Sequence, residues 1–294
     1  MSEEMLSPKS LPLNFPQDFL PDRALLSQLL VFAEADGEGD KQAISKATGI
    51  PTGKSSGKVE PMIQYARGMG LVNAARSSGV WRLALTGAGR LVSDQDPFLE
   101  ESPTQWFCHL MLCRRYSIKQ PAVGVADAWF ALFADGTSRL GNPFERESFR
   151  QTLVERHGQK SYLRSLSGLV PRTYVEQSCL GGLGIMRRME EGKDERYRRL
   201  PAPNDQALYP AYAIALFLAW DILFPDRQQV PFYELTAESR VFATLLWQRS
   251  DAERWIRWMC ERRMLQLDNL TGTTMALRLT DSAKVLRGLY NEVV

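Results

Sequence analysis

Residues 44–85 read ISKATGIPTGKSSGKVEPMIQYARGMGLVNAARSSGVWRLAL, and this stretch decides the fold expected for the whole chain. Ile44 lies in a short helix that Gly49-Ile50-Pro51 stops, because proline cannot continue a helix and glycine tolerates the turn. Thr52-Gly53-Lys54-Ser55-Ser56-Gly57-Lys58 follows as a polar, basic loop. A second helix starts near Val59, since Pro61 is tolerated only in a first turn. Met62, Ile63, Ala66 and Met69 then recur at helical spacing and point to a core. Leu71-Val72 opens a strand, Arg76-Ser77-Ser78-Gly79 is turn chemistry, and Val80, Arg82 and Ala84 alternate with Trp81, Leu83 and Leu85 in a return strand. Helix, turn, helix and hairpin in this order make a winged helix-turn-helix, a module that most often holds nucleic acid.

Working outward, residues 1–21 hold Pro8, Pro12, Pro16 and Pro21 and read as an extended, partly packed arm. Asp22 is a natural cap for a helix carrying Leu25, Leu26, Leu29, Leu30 and Phe32, and Asp40 for one in which Ala43, Ile44 and Ala47 face inward. Thr86 caps a short helix through Val92. Asp96-Pro97-Phe98-Leu99-Glu100 leads into a helical region around Trp106, Leu110 and Cys113, and a further helix runs from Ala126 to Phe133. Two more wing-like hairpins follow. One is Gly184 to Met189, a polar tip, and Arg196 to Leu200. The other is Met264 to Leu267, a tip at 268–272, and Met275 to Thr280. Leu85-Thr86 and Leu279-Thr280 end the outer hairpins alike, and each hydroxyl precedes a helix. We therefore expect a mainly α protein with small β-hairpin wings, made of multiple winged helix-turn-helix modules joined by helices such as Tyr209 to Phe224 and Ala237 to Trp247. The divisions expected are an arm and winged helix over 1–100, a helical middle over 101–160, a second wing-like module over 161–205 and a helical, winged module over 206–294.

Composition narrows the function classes. The chain has 294 residues, 44% hydrophobic and 24% charged, ordinary for a globular protein with two or three small cores. No run of ~18 uninterrupted apolar residues suggests a membrane span, and the acidic start lacks the features of a signal peptide, so a cytoplasmic location is expected. Cys108, Cys113, Cys179 and Cys260 are scattered, and His109 and His157 are the only histidines; neither a zinc site nor a disulfide framework is expected. No Ser/His/Asp set or paired-acid motif can be named. Net charge is +2, yet residues 101–200 hold 16 Lys/Arg against 11 Asp/Glu, whereas the first hundred hold 10 against 12. Any electrostatic footprint is local and involves the middle third.

Two groups of residues are the candidates for contact with DNA. In the first module, Lys54 and Lys58 would neutralise phosphates and Thr52, Ser55 and Ser56 would donate to them. Gln64 and Arg67 would reach base edges, with Arg76 and Arg82 on the wing. The second group is the densest basic run in the chain: Arg187, Arg188, Lys193, Arg196, Arg198 and Arg199, with Tyr197 between. It reads equally as a wing against a phosphate backbone or as salt bridges to Glu190, Glu191, Asp194 and Glu195 in the same hairpin. Thr52-Gly53-Lys54-Ser55 also invites a phosphate-loop reading. That pattern needs four residues between its glycines and a preceding strand; Gly49 and Gly53 enclose three, and the preceding element reads as a helix. Trp255 and Trp258, among Arg254, Arg257, Arg262 and Arg263, read as core.

The motif Thr48 to Val59, with Tyr65-Ala66, Met69-Gly70-Leu71, Leu85-Thr86, Asp96 to Glu100 and Thr104-Gln105-Trp106, resembles a bacterial defence-island family of unknown function. Members of that family recur near PAPS-reductase-like sulfur-transfer genes of the DNA phosphorothioation type. The resemblance runs over most of the chain, more loosely after residue 160, and implies a DNA-modification or anti-phage context without carrying over any catalytic residue. The function expected is a non-catalytic DNA-binding component of such a system, contacting double-stranded DNA and a protein partner, with no cofactor, metal or membrane. The alternative is a protein–protein adaptor that recruits a sulfur-transfer enzyme or nuclease.

Overall fold

The computed structural model describes residues 10–53, 57–189, 195–270 and 272–292. Lys54, Ser55, Ser56 and Lys193 of the expected contact set lie outside them. Among the described residues the chain is mainly α-helical, with three small antiparallel sheets of three strands each.

The first unit comprises α1 (Arg23–Glu34), β1 (Glu38–Gly39), α2 (Lys41–Thr48), α3 (Val59–Gly68), β2 (Val72–Ser77) and β3 (Val80–Leu85), closed by α4 (Gly87–Gln95). Local chemistry sets its boundaries. Asp22 caps α1 by accepting from the N–H groups of Ala24 and Leu25, Asp40 does the same for α2, and Thr86 accepts from Gly89 in α4. Such caps satisfy amides that the helix itself leaves unpaired. The β2–β3 hairpin pairs Val72 with Leu85 through Ser77 with Val80. Ser78 and Gly79 at its tip both have positive φ, 49° and 84°, the backbone that a two-residue turn needs to match the strand twist. In α2 only Ile44 and Thr48 are buried; Ala43 and Ala47, expected to face inward, are exposed. One turn of contact suffices for so short a helix.

Helix α5 (Ser102–Cys113) leads to the second unit: α6 (Asp127–Phe133), α7 (Gly136–Arg139), β4 (Phe144–Glu145), α8 (Arg146–His157), α9 (Leu163–Arg172), β5 (Met186–Met189) and β6 (Arg196–Arg199). The third comprises α10 (Tyr209–Leu223), β7 (Gln229–Pro231), α11 (Phe232–Ser239), α12 (Val241–Leu245), α13 (Arg249–Glu261), β8 (Leu265–Leu270) and β9 (Thr273–Arg278), followed by α14 (Ser282–Arg287). The helix expected over Ala237 to Trp247 is broken at Arg240, which takes a left-handed backbone (φ 58°) between α11 and α12.

All three sheets have one strand order: the short lone strand, then the second hairpin strand, then the first. Each lone strand runs almost directly into a helix. The chain thus repeats one arrangement three times, and the second copy takes β4 from the stretch before residue 161.

Besides a small cluster formed by Ala122, Phe130 and Ala134, one large hydrophobic cluster reaches from Leu11 to Leu289. At its centre, α5 is buried from Pro103 to Cys113 and α10 from Tyr209 to Trp220, and the two pack together. Helices apolar all round are stable only when enclosed. The stretch Gln206–Leu223 is also long and apolar enough to cross a membrane; here it is a core helix. His109 in α5 is fully buried, with Nδ1 2.8 Å from the Tyr174 hydroxyl. Burial pushes its pKa down to about 3, which keeps the ring neutral. The arm packs too, through Leu11 and through Phe15 against Tyr65 and Trp129.

Candidate nucleic-acid interface

In the first unit, the loop after α2 is drawn shut at its root. Thr52 bridges to Gly57, the Lys58 amide donates to the Pro51 carbonyl at 2.9 Å, and Gln42 donates to the Gly53 carbonyl. Lys58 is half-buried at the mouth of α3. Helix α3 itself is largely enclosed: Val59, Pro61, Met62, Ile63, Tyr65, Ala66 and Gly68 are buried. Helix α5 lies along it, with Leu112 and Leu11 against Gly68. Arg114, 5% exposed, donates to the carbonyls of Gly68 and Met111, both at 2.7 Å, and so fastens the end of α3 to the end of α5. Burial, with the Arg67 charge added, pushes the Arg114 pKa down to about 9. Gln64 and Arg67 are half-buried, and Arg67 donates to Gln64 at 3.4 Å.

The first wing is electrically occupied. Arg82 makes two hydrogen bonds to Glu38, at 2.9 and 3.3 Å. Arg76 pairs with Glu60 at 3.0 Å and lies 5.3 Å over the Trp81 ring. Both arginines remain exposed, but each already has a counter-charge.

The second hairpin sorts its arginines by face. Strand geometry sends alternate side chains to opposite sides, and the register places Met186 opposite Arg199, Arg187 opposite Arg198, Arg188 opposite Tyr197 and Met189 opposite Arg196. On the inner side, Arg199 is 2% exposed and donates to the carbonyls of Leu132, Leu140 and Gly141. Burial pushes its pKa down to about 10. Glu195 gathers Arg146 at 3.0 Å, Arg188 at 3.4 Å and the Tyr197 hydroxyl at 2.7 Å. Burial alone would raise the Glu195 pKa; these partners pull it below the usual carboxylate range. Arg146 reaches Glu195 by crossing α9 at Gly168, where a Cβ would stand 2.8 Å from its Cζ.

The outer face is different. Arg187 and Arg198 are exposed, directly opposite one another, and neither has a counter-ion among the described residues. Arg196 shares that face beside Glu145. Like charges directly opposite across two strands are unfavourable, so this pair is a place where an anion would relieve repulsion. Of this run, Arg188 is paired with Glu195 and Arg199 belongs to the interior; Glu190, Glu191 and Asp194, the other partners expected in the hairpin, lie outside the described residues.

Helix α13 occupies in the third unit the position that α3 holds in the first, yet buries only Ala252, Trp255, Trp258 and Met259. Its tryptophans are core, as expected, and Arg254 and Arg257 stand exposed. The sequence carried the signal for this open face, a two-sided split of tryptophan and arginine at helical spacing, but the arginines were not among the expected contacts.

These features define a class of architecture: a mainly α chain of three repeated helix-and-hairpin units around one core, with a cationic sheet face that has no counter-charge among the described residues. Two solved structures share its fold over nearly the whole chain. A magnesium ion-bound SspB crystal structure matches with a TM-score of 0.72 at 15% identity, over 95% of this chain and 88% of that one. A second SspB crystal structure matches with a TM-score of 0.70 at 15% identity, over 99% and 90%. At that identity the likeness is one of fold. No family model matches the chain, and no curated protein does. Magnesium belongs to the description of that SspB; among the described residues here, no group of three or more His, Cys, Asp or Glu side chains converges to hold a metal.

Proposed function

We propose that this protein is a non-catalytic, DNA-binding component of a bacterial DNA-modification or anti-phage defence system, acting in the cytoplasm on duplex DNA and handing the chemistry to a partner protein. The observation that carries the reading is the Arg187–Arg198 pair: two exposed arginines directly opposite one another, without a counter-ion among the described residues, on the outer face of a small sheet. Successive phosphates of a DNA strand supply the spaced negative charge that such a face lacks. The resemblance of the Thr48 to Val59 motif to a defence-island family supports the context. On this reading the three units are winged helix-turn-helix modules, with the second hairpin as the wing that lies on the backbone. Because α3 is enclosed, Lys58, Gln64 and Arg67 contribute at the rim of the contact, while α13 presents the more accessible helix face.

The test is salt-dependent binding to duplex DNA, read by fluorescence anisotropy. Arg187→Glu/Arg198→Glu is expected to weaken binding at least tenfold at low salt and to reduce the slope of log K against log salt by about 2, one unit for each phosphate that is no longer neutralised. Wild-type affinity in this variant at every salt concentration would overturn the reading.

A protein–protein adaptor is the second reading. The pairing of Arg76 with Glu60 and of Arg82 with Glu38 favours it for the first wing, since a neutralised wing suits contact with protein better than with phosphate. Co-purification of a sulfur-transfer enzyme or nuclease from nuclease-treated lysate, by a chain that shifts no duplex, would favour this role over DNA contact.

A further inference from the structure

A cleft of about 330 Å³ lies in the third unit, between the C-terminal end of α13, α14 and the chain that follows it. It shares no residue with the second hairpin. Its charged lining consists of Arg262, Arg263, Lys284 and Glu292. Arg262 hydrogen-bonds to Glu292 at 2.6 and 3.1 Å, and its guanidinium lies 4.5 Å over the Trp258 ring. That pair is neutral and held in place. Arg263 and Lys284 are exposed, and among the described residues neither has a counter-ion, which leaves two positive charges in the cleft unbalanced by those residues. Nε1 of Trp258, a residue only 3% exposed, is sealed from solvent and is not offered to a ligand, but the Trp258 side chain lines the cleft and so reports on it.

We propose that this cleft binds a phosphomonoester group. The volume falls within the range of small-ligand sites. A phosphomonoester carries about −1.5 to −2 charges at neutral pH and three strong acceptor oxygens, which match the two cations and their N–H donors. A phosphodiester or carboxylate, with one charge, would leave one cation unbalanced. The assignment does not rest on the DNA reading: it uses other residues and another unit, and either can fail alone.

The experiment follows the indole ¹⁵N–¹H resonance of Trp258, assigned with Trp258→Phe, at constant ionic strength in the full chain. Inorganic phosphate and glycerol 2-phosphate are expected to shift it saturably. Dimethyl phosphate and acetate are expected to bind at least tenfold more weakly. Arg263→Ala/Lys284→Ala, at exposed positions, is expected to raise the apparent Kd for phosphate at least tenfold with an unchanged circular dichroism spectrum. Oligonucleotides with and without a 5′-phosphate identify the source: a tenfold preference for the phosphorylated end over glycerol 2-phosphate marks a nucleic-acid terminus, and equal affinity marks a small phosphorylated molecule. A resonance that moves no more with phosphate than with chloride, or a double variant that binds phosphate as wild type does, would overturn the proposal.

Discussion

Arg198 and Arg199 adjoin in β6 and live in opposite environments, because successive side chains of a strand leave on opposite faces. Arg198 meets solvent and Arg187; Arg199 meets three carbonyls and the Phe144 ring. Replacing each by alanine should separate the roles. Arg199→Ala leaves buried acceptors unmet and is expected to cost about 3 kcal/mol of stability, read as a lower urea midpoint, whereas Arg198→Ala should leave that midpoint within about 0.5 kcal/mol and weaken DNA binding. His109 makes a second residue-scale prediction. Below its ordinary pKa near 6.5 the unfolded chain takes up a proton that the buried ring refuses down to about pH 3, so stability falls as pH drops through that window. By pH 5 the loss is on the order of 2 kcal/mol. His109→Gln should remove this component from the pH dependence of the denaturant midpoint; an unchanged profile would contradict it. That His109 is a core residue was legible from its apolar helix. That Arg114 is one was not, since nothing in its neighbourhood reveals that two helix ends meet there.

At the scale of elements, the hairpins and most helix ends were legible because their causes are local: Asp22, Asp40 and Thr86 cap the amides just ahead of them, and Ser78-Gly79 supplies the backbone of a tight turn. The exposure of α3 was not legible, since it depends on α5 lying along it, and α5 comes more than thirty residues later in the chain. The link between α6 and α8 has the same origin. Asp127 accepts from Arg156 and stands 2.8 Å from Nε2 of His157, while Arg156 also reaches Asp135 at 2.9 Å. Burial would raise the Asp127 pKa, but its hydrogen bonds from His157 and Arg156 and the Arg156 charge leave it below the ordinary value. A carboxyl lowered in this way contributes stability that is complete above the unfolded pKa, near 4, and is lost as pH falls through the folded value. Asp127→Asn is therefore expected to lower the thermal midpoint at pH 7, with the gap to wild type narrowing below about pH 4. A gap independent of pH would mean that the carboxylate charge contributes nothing.

For the whole molecule, one core joins all three units through α5 and α10, and Arg115 and Glu238 add an ion pair between the segment after α5 and α11. Units that share a core should not melt separately. Calorimetry is expected to show a single transition, and residues 1–100 alone should expose the α5-facing side of α3 and bind a hydrophobic dye instead of folding to a native-like unit. A stable, monomeric fragment with a cooperative melt would show that the units are independent.

The amino-acid order by itself determined what depends on near neighbours: where helices start and stop, which runs pair as hairpins, and that similar hairpins recur. Those are set by caps, turns and hydrophobic spacing within a few residues. Tertiary structure decided which charges are free. Arg82 is neutralised by Glu38, 44 residues away, Arg199 is held by carbonyls 58 to 67 residues earlier, and α3 is enclosed by a helix from outside its own unit, while Arg187 and Arg198 face each other with no counter-ion among the described residues. A side chain's charge is written in the chain, but its partner and its access to solvent depend on what folding brings alongside it.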